Sequence, residues 1–319
     1  MKIIPYLFIA SFFLSSPPIF AENNQILTKT YPAKKIAHHT WVIQGPEGLP
    51  SVKNQGFMNN PVFIVTPQQV ILVDPGSSVQ AGRMVLNEIN KITQNPITHV
   101  FATHIHGDHW LGNQAIQEKY PQALFYAHPK MIQKAHDYAA KQWLEILNKL
   151  TENYTKSTKA VIPSKAVIDG QQFIIDGITI KIYAPEKAHS DTDIMVEIVD
   201  DKVLILGDNV TNHRFGSLND ATFKGNIAAC NKALSTKATI FVPGHGLTGG
   251  REIVQQFKQY LQQLYQLAQK YYADDLADYE MKPLIIKDLP KQYLKWVDFN
   301  ENIGRHIIKV VQEIEEAEF

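Results

Sequence analysis

Three histidines and an aspartate lie within the six positions from His104 to His109, directly after a short apolar segment that predicts a β-strand. In an extended backbone, side chains two residues apart point the same way, so His104 and His106 can hold one metal ion together. Gly107 allows the chain to turn sharply, which directs Asp108 and His109 toward a neighbouring position. Imidazole nitrogens and carboxylate oxygens are ligands that Zn²⁺ binds at about 2.0–2.2 Å. The cluster therefore predicts a metal site at the end of a strand.

Around this cluster, the hydrophobic pattern predicts β-hairpins followed by alternating strands and helices, and this order occurs twice. The predicted strands are Gln25–Thr30, Ala37–Gln44, Val62–Val65, Gln69–Val73, Thr98–Ala102, Ala123–Ala127, Phe173–Ile175, Ile178–Tyr183, Ile194–Ile198, Lys202–Leu206 and Ile240–Val242. The predicted helices are Val79–Ile92, Asn113–Glu118, Pro129–Leu150, Ala221–Leu234, Arg251–Tyr272 and Asn302–Glu316. Such an order indicates an α/β fold in which two mixed sheets pack face to face with helices outside.

The first 21 residues are typical of a secretory signal peptide. Lys2 precedes an apolar run from Ile3 to Leu14, and a segment that breaks the helix leads to the small residue Ala21. Cleavage there would leave a mature chain that begins near Glu22, in the periplasm or outside the cell. The alternative is an uncleaved anchor, because the residue three positions before the cut is a bulky isoleucine. The apolar run is too short to span a bilayer comfortably, and we expect no other membrane span.

Charge and cysteine content argue against several classes of function. Lysine plus arginine and aspartate plus glutamate both number 31, so no net field favours nucleic acid or an acidic membrane surface. We therefore expect a small-molecule substrate and no nucleic-acid partner. Cys230 is the only cysteine, which excludes an internal disulfide and a cysteine-rich metal site. Because Cys230 falls inside a predicted helix, we interpret it as a buried core thiol.

The cluster matches a His-x-His-x-Asp-His signature, and through it the sequence resembles the metallo-β-lactamase superfamily. Four further positions agree with the family pattern, in the family's order: Asp74 in Val-Asp-Pro-Gly, His189 in Ala-His-Ser-Asp, Asp208 in Leu-Gly-Asp and His245 in Pro-Gly-His-Gly. The resemblance covers roughly Ile36 to Gly250. It implies the αββα sandwich of that family, with residues 22–272 as the catalytic domain and residues 273–319 as a helical C-terminal extension.

The resemblance also implies a ligand set for two zinc ions. The first ion would be held by His104, His106 and His189, and the second by Asp108, His109 and His245. Asp208 would bridge both ions, and Asp74 would orient the ligands from behind without binding metal. The β-lactamases of the family have a cysteine or no ligand at the position of Asp208, so its aspartate points to the branch of glyoxalase II, lactonases and general hydrolases. Dedicated β-lactam hydrolysis is therefore not the first interpretation, although weak activity stays open.

In such enzymes a hydroxide that bridges the two zinc ions attacks the substrate, and the resemblance gives Asp108 the role of receiving and passing on a proton. The bond cleaved would be an ester, thioester, lactone or amide-type bond. Two alternatives stay open. One is a mononuclear iron enzyme on the same fold, similar to a persulfide dioxygenase. The other is a non-catalytic metal-binding accessory protein of an envelope redox system.

Substrate contacts are harder to predict, since loops around the metals determine them. Trp110, next to the cluster, could contact substrate or simply pack at a helix start. His213 and Arg214 could bind an anionic group or lie on the surface without a role. The rim could be formed by residues 45–60, residues 209–220 and the C-terminal extension. That extension is similar in character to those of exported metallo-hydrolases associated with sulfur oxidation or quinoprotein systems.

Overall fold

Two β-sheets pack face to face, and helices cover the outer face of each, in the computed structural model, which describes residues 26–318. The strands are β1 Ala33–Lys35, β2 Thr40–Ile43, β3 Val62–Val65, β4 Val70–Val73, β5 Ile97–Phe101, β6 Leu124–Ala127, β7 Lys165–Ala166, β8 Gln172–Ile175, β9 Ile178–Tyr183, β10 Met195–Ile198, β11 Val203–Thr211 and β12 Ile240–His245. The α-helices are α1 Val79–Asn90, α2 Gly107–Trp110, α3 Asn113–Lys119, α4 Pro129–Lys134, α5 Ala140–Leu150, α6 Phe223–Ser235, α7 Arg251–Ala273, α8 Asp278–Asp288 and α9 Phe299–Glu316. The predicted α/β sandwich of two mixed sheets is confirmed.

Seven strands form the first sheet, in the order β1-β2-β3-β4-β5-β6-β7. The neighbours from β1 to β4 are antiparallel, whereas those from β4 to β7 are parallel. β4 is buried along its whole length, as expected for a strand that is covered on both faces. α1 and α3 contribute Met84, Val85 and Ile116 to the hydrophobic cluster on one of these faces.

Five strands form the second sheet, in the order β12-β11-β10-β9-β8. β11 and β12 are parallel, and the other neighbours are antiparallel. Ile178, Ile180 and Ile182 occupy alternate positions of β9 and pack between the sheets with Val62 and Ile71 from the first sheet. This layer fixes how the two sheets lie on each other, and thereby which strand ends meet.

The C-terminal helices α8 and α9 complete the cover of the five-stranded sheet. Met281 of α8 and Ile303 of α9 are fully buried. They belong to the same hydrophobic cluster as Phe241 of β12 and Tyr260 of α7. The segment that the sequence predicts as an extension therefore shares a hydrophobic core with the residues before it.

The N-terminal strands differ from the prediction. Residues 26–30 of the predicted strand Gln25–Thr30 form no strand, and Leu27 packs into the cluster beneath α1. The backbone N–H of Thr28 donates to the side chain of Gln55 at 2.8 Å. The strand prediction is wrong because this segment contacts a loop and not a neighbouring strand. The observed strand β2, Thr40–Ile43, is shorter than the predicted strand Ala37–Gln44.

Two helical regions also differ. The predicted helix Pro129–Leu150 is divided by a π-helical turn, Ala135–Ala139, which separates α4 from α5. The sequence does not predict α8, because Pro283 inside it is typical of a helix end. Burial of Met281 and Ile285 against the neighbouring helices stabilises α8 nonetheless. Tertiary packing outweighs the local preference here.

The predictions on the signal peptide, on membrane spans and on Cys230 have different outcomes. The signal peptide, residues 1–21, lies outside the described residues. Among residues 26–318, no helix combines the length and the apolar character needed to cross a membrane. Cys230 lies in α6 and is fully buried, so its prediction as a core thiol is confirmed. Burial raises the pKa of this thiol to about 12, which keeps it protonated and unreactive.

His306 of α9 is a buried histidine that joins three parts of the fold. Its Nε2 donates to the carbonyl oxygen of Gly216 at 2.8 Å, and its Nδ1 accepts from the hydroxyl of Tyr260 at 2.7 Å. Burial lowers the pKa of His306 to about 4, so the folded protein holds a neutral imidazole at neutral pH.

We expect this histidine to make the protein less stable in mild acid. The unfolded chain binds a proton near pH 6.5, whereas the folded chain does so only near pH 4. Stability is therefore full above pH 6.5 and falls as the pH drops toward 4, by about 2 kcal/mol between pH 7 and pH 5. Urea unfolding of the native protein and of His306→Gln at both pH values would measure this. The prediction fails if the variant, which cannot titrate here, shows the same pH-dependent loss.

Candidate metal centre

The polar cluster lies where strands from both sheets end. His104 follows β5, Asp74 follows β4, His245 ends β12 and Asp208 lies within β11. His189 is on the loop between β9 and β10. Because β4 with β5 and β11 with β12 are parallel pairs, their carboxyl ends meet at one edge of the sandwich. The topology thus brings together side chains that are far apart in the sequence.

One group of potential ligands consists of four buried side chains, His104, His106, His189 and Asp208. Their ligand atoms all lie within 4.8 Å of one another. Nδ1 of His106 is 3.0 Å from Nε2 of His189. Oδ2 of Asp208 is 4.0 Å from Nε2 of His104 and 3.7 Å from Nε2 of His189. Three imidazoles and a carboxylate at this spacing surround a space that suits a single small cation.

A second group, Asp108, His109 and His245, lies beside the first. Oδ2 of Asp108 is 3.2 Å from Nε2 of His245 and 3.4 Å from Nε2 of His109. Asp208 faces this group as well. Its Oδ1 is 3.3 Å from Nε2 of His109, and its Oδ2 is 3.4 Å from Nε2 of His245. Asp208 therefore contacts both groups.

Hydrogen bonds behind the second group orient its imidazoles. Nδ1 of His109 donates to Oδ2 of Asp74 at 2.8 Å, and Nδ1 of His245 donates to the carbonyl oxygen of Met58 at 3.0 Å. In the neutral form of each ring, these bonds place the proton on Nδ1 and leave Nε2 to face the cluster as a possible metal donor. This is the tautomer that a metal ligand needs.

Asp74 occupies the position that its predicted orienting role requires. In addition to His109, it accepts hydrogen bonds from the backbone N–H of Thr103 at 2.8 Å and from the Thr103 hydroxyl at 2.7 Å. The Thr103 hydroxyl in turn lies 3.0 Å from Nδ1 of His104. Asp74 has a φ of 55°, a left-handed backbone that costs a non-glycine residue free energy. One carboxylate thus supports an imidazole of each group.

Two buried atoms of the cluster show that the residues present fit metal ions. Nε2 of His104 and Oδ1 of Asp208 are buried, and within residues 26–318 neither has a hydrogen-bond partner. A buried acceptor without a partner costs about 1–3 kcal/mol. Divalent cations would satisfy both atoms, and a donor set of imidazoles and carboxylates suits such ions.

The charges of the cluster also favour bound cations. Burial and the surrounding imidazoles lower the pKa of His104 well below its usual value, which leaves it neutral. Burial tends to raise the pKa of Asp208, but His245 and His109 outweigh it and hold the pKa well below its usual value. Burial tends to lower the pKa of His109, yet the carboxylates of Asp108 and Asp208 raise it well above its usual value. The same carboxylates would attract a metal cation.

His106 is oriented from the opposite side by a residue that sequence analysis places only at the end of a rim segment. Its Nε2 donates to Oδ2 of Asp220 at 2.9 Å, which leaves Nδ1 to face His189. The bond from His106 lowers the pKa of Asp220, so this carboxylate is ionised. A single aspartate in a polar loop gives no signal in the sequence, and only the fold brings it to His106.

We expect Asp220→Asn to weaken metal binding without unfolding the protein, because the side chain of Asp220 is 63% exposed. The loss should be up to about tenfold in metal affinity, the lower end for a partner that orients a ligand. Competition with a fluorescent chelator would measure it. The neighbouring Asn219→Asp variant is the control for a charge change in this loop. Equal affinity of Asp220→Asn and the native protein would contradict the assigned role.

The loop that carries His189 is held by Asp193, a buried aspartate whose role the sequence does not reveal. Asp193 accepts hydrogen bonds from the backbone N–H of Ser190 at 2.8 Å and from its hydroxyl at 2.7 Å. Thr192 accepts from the backbone N–H of Ile105 at 3.1 Å, which ties this loop to the histidine cluster. Burial raises the pKa of Asp193 to about 7 despite the bonds from Ser190. These contacts fix where His189 enters the cluster.

The three residues predicted as possible substrate contacts pack against other parts of the protein in the structure. Trp110 is fully buried, and its indole N–H donates to the carbonyl oxygen of Ile105 at 2.9 Å. Its burial favours the predicted alternative in which it packs at the helix start. The exposed His213 stacks on Trp296 with ring centroids 6.0 Å apart and lies 3.3 Å from the side chain of Gln256. It therefore faces α7 and the C-terminal segment.

Arg214 links three segments that sequence analysis assigns to the rim. Its Nη2 donates to the carbonyl oxygen of Gly48 at 3.0 Å, and its Nε lies 3.5 Å from Oδ2 of Asp298. Asp298 directly precedes α9. The side chain of Arg214 is 4% exposed. The structure gives it this structural role in place of the predicted contact with an anionic group.

Comparison with known proteins places this geometry in a family. The sequence model of the metallo-beta-lactamase superfamily matches residues 54–245, which is more than half of the chain and includes every ligand candidate above. The chain belongs to the metallo-beta-lactamase superfamily. With the buried histidine and aspartate groups, this membership makes it a metal-dependent hydrolase.

Three curated members of the superfamily show its range. A type 2 metallo-beta-lactamase of Bacteroides fragilis is 23% identical over 216 residues, which cover 64% of this chain and 76% of the relative. An atrochrysone carboxyl ACP thioesterase of Emericella nidulans is 22% identical over 195 residues, which cover 61% of this chain and 53% of that protein. A linear primary-alkylsulfatase of a Pseudomonas species is 43% identical over 53 residues, which cover 17% of this chain and 10% of the sulfatase.

Solved structures agree on the fold. A metallo-beta-lactamase from Pontibacter korlensis matches with a TM-score of 0.59 at 19% identity, covering 73% of this chain and 99% of that one. A stereoselective inverting sec-alkylsulfatase from a Pseudomonas species matches with a TM-score of 0.69 at 13% identity, covering 89% of this chain and 50% of that one. The two structures thus share the fold with this chain but match different fractions of its length.

Proposed function

We propose that this chain is an exported dinuclear zinc hydrolase that cleaves an ester, thioester, lactone or amide-type bond. The observation that carries this proposal is the contact of Asp208 with both donor groups, at 3.3 Å from His109 and 3.7 Å from His189. One ion would be held by His104, His106 and His189, the other by Asp108, His109 and His245, with Asp208 between them. A donor set of imidazoles and carboxylates without thiolate supports Zn²⁺ as the metal.

Asp108 is the residue we assign to proton transfer. When bound, the metal ions would lower the pKa of water and polarise the group under attack. Burial tends to raise the pKa of Asp108, but the imidazoles of His109 and His245 outweigh it and hold the pKa below its usual value. The ionised carboxylate can accept the proton of an attacking water and deliver it to the leaving group.

A sulfate ester is a second candidate substrate, because the similarity to alkylsulfatases reaches further along this chain than that to the β-lactamases. The structural match to the sec-alkylsulfatase covers 89% of this chain, against 73% for the β-lactamase from Pontibacter korlensis. The part of the chain before residue 273 is too short to account for a coverage of 89%. The match to the sec-alkylsulfatase therefore includes part of the C-terminal helices. The identity of 43% over 53 residues to the primary-alkylsulfatase supports the same candidate.

Export rests on residues 1–21 of the sequence, with their basic start, apolar run and small residue at the cut. Expression of the full chain in a bacterium with two membranes, followed by fractionation and intact mass measurement, would test it. We expect a periplasmic or secreted product that begins at Glu22. A chain that retains its N-terminus and sediments with membranes would show that the segment is an anchor.

A hydrolysis panel on the zinc-loaded mature chain tests the proposed activity. The panel contains an activated ester, a thioester, a lactone, a β-lactam and a primary alkyl sulfate. We expect turnover of at least one class, and a loss of about 100-fold or more in Asp108→Asn, with the metal content of each preparation measured beside the rates. Asp274→Asn, an exposed aspartate after α7, is the matched control and should keep native activity.

Two results, one from metal analysis and one from this panel, would overturn the proposal. One iron per chain in protein purified from its native compartment, together with oxygen consumption on a persulfide, would identify the iron enzyme. No turnover on any member, with an unchanged biological role for Asp108→Asn, would identify the non-catalytic accessory protein. Cleavage of the alkyl sulfate alone would leave the hydrolase in place and select the second substrate class.

A further inference from the structure

A cavity of about 490 Å³ opens beside the metal centre, on the side of His106. Its lining includes the apolar side chains of Ile105 and Trp143 and the ammonium groups of Lys187 and Lys309. The rings of Trp143 and His106 lie 5.0 Å apart, measured between centroids. The cavity thus adjoins a donor of the metal centre and has the size and mixed lining of a ligand pocket.

The charged side chains of the cavity do not balance. Lys134 is paired with Asp191 at 2.6 Å, and Asp220 accepts the hydrogen bond from the metal-centre imidazole. Within residues 26–318, neither Lys187 nor Lys309 forms an ion pair or a hydrogen bond through its ammonium group. Both carboxylates of the lining thus have partners, whereas two of its three ammonium groups have none. With three ammonium groups against two carboxylates, the lining therefore carries an excess of one positive charge.

The two unpaired lysines come from distant parts of the chain, and the fold holds them on one cavity. Lys187 is on the loop that carries His189, whereas Lys309 is on α9. Glu313, one turn after Lys309, accepts hydrogen bonds from the backbone N–H of Phe223 at 2.6 Å and of Lys224 at 3.0 Å. These bonds anchor α9 to the start of α6. Lys309 is thereby fixed at the edge of the cavity.

The cavity lining also includes the aromatic side chain of Trp143, which packs closely against the metal centre. Gly107, next to His106, has no side chain, and a Cβ there would lie only 2.7 Å from Cβ of Trp143. The absence of that atom allows the indole to approach the metal-centre imidazole. Tyr138, with 54% of its surface exposed, lines the same cavity beyond Trp143. The cavity lining thus combines two aromatic side chains with the two unpaired lysines.

We propose that this cavity is the substrate-binding groove, in which Lys187 and Lys309 bind a carboxylate of the substrate and Trp143 packs against its apolar part. The substrate class is then a hydrolysable ester that carries a second, acidic group; this inference rests on the proposed hydrolase function. A neighbouring cavity of about 430 Å³ also includes Lys187, but it includes neither Lys309 nor a metal donor. Lys309 is therefore the residue that distinguishes the groove.

The proposal is tested with a pair of esters that differ in charge, 4-nitrophenyl hemisuccinate and 4-nitrophenyl butyrate. We expect the native enzyme to prefer the hemisuccinate in kcat/KM. The double variant Lys187→Gln/Lys309→Gln should raise KM for the hemisuccinate by about tenfold and leave KM for the butyrate unchanged. Lys309→Gln alone should show part of this effect. Arg305→Gln, one turn earlier on α9 and outside the cavity, should show none.

A binding measurement keeps this test separate from that of the proposed function. Calorimetry would compare phenylacetate with phenylacetamide, on zinc-loaded and on metal-free protein. We expect the double variant to bind phenylacetate about tenfold more weakly and phenylacetamide as the native protein does. Lysine-dependent phenylacetate binding without turnover of any ester would overturn the hydrolase function and keep the groove. Lysine variants that match Arg305→Gln in both measurements, or phenylacetate binding that depends only on zinc, would overturn the groove.

Discussion

Asp208→Asn is expected to remove metal and activity together, because this one side chain contacts both donor groups. An amide has a single oxygen to offer and cannot replace a carboxylate whose Oδ1 and Oδ2 face different imidazoles. Loss of a residue that only orients a ligand lowers metal affinity by about 10–100-fold. We therefore expect Asp208→Asn to lower metal affinity by more than about 100-fold. We expect kcat/KM to fall by about 1,000-fold. Elemental analysis and kinetics on the same preparation would measure both quantities.

The control is Asp200→Asn, on the turn that leads into β11. Asp200 is exposed and accepts a hydrogen bond from the backbone N–H of Thr179 at 2.7 Å. This variant should bind two metal ions per chain and keep native activity. Full metal content and activity in Asp208→Asn would show that the two groups do not share this carboxylate as a ligand.

Gly244→Ala should damage the centre as severely, although residue 244 is not a ligand. A Cβ at this position would lie within 2 Å of Oδ1 of Asp208, at 1.9 Å, and 3.0 Å from Cε1 of His109. It would also lie 2.9 Å from the backbone of Gly207, which cannot turn aside as a flexible side chain can. Because a displacement of about 1 Å can cost about 100-fold in rate, we expect a loss of at least that size.

Gly216→Ala is the matched control for this substitution. Its Cβ would meet Cγ2 of Thr211 at 3.3 Å and no other atom within 4 Å. We expect native activity and a small change in melting temperature, whereas Gly244→Ala should destabilise the protein by about 1–3 kcal/mol. Activity within a few-fold of native in Gly244→Ala would show that β11 and β12 separate without cost to the centre.

Those parts of the molecule that depend on local pattern could be predicted from the sequence. The alternation of Ile178, Ile180 and Ile182 predicts a strand with the bounds that β9 has. The spacing of His104 and His106 predicts two imidazoles on one side of the chain, and their rings lie 4.7 Å apart. The family pattern adds the distant members, because it records which strand ends meet in this fold.

Features that arise from contacts between distant segments could not be predicted. Asp220 and Asp193 are ordinary loop aspartates in the sequence, and only the fold brings them to His106 and to the His189 loop. Lys309 lies on the polar side of an amphipathic helix, where lysine is common on any solvated face. The strand predicted at Gln25–Thr30 fails for the same reason, since pairing depends on a neighbour that the local pattern cannot supply.

The contact of Arg214 with Gly48 and Asp298 has a consequence for the time at which the protein becomes selective during its synthesis. The donors from His104 to His245 have all left the ribosome before Asp298 and Lys309 are made. The helices α8 and α9 complete the hydrophobic core that includes Phe241 of β12, so a partly translated chain that already holds every donor still exposes this core. Under the proposed function, the metal donors and the groove are therefore completed together, once α9 has been made.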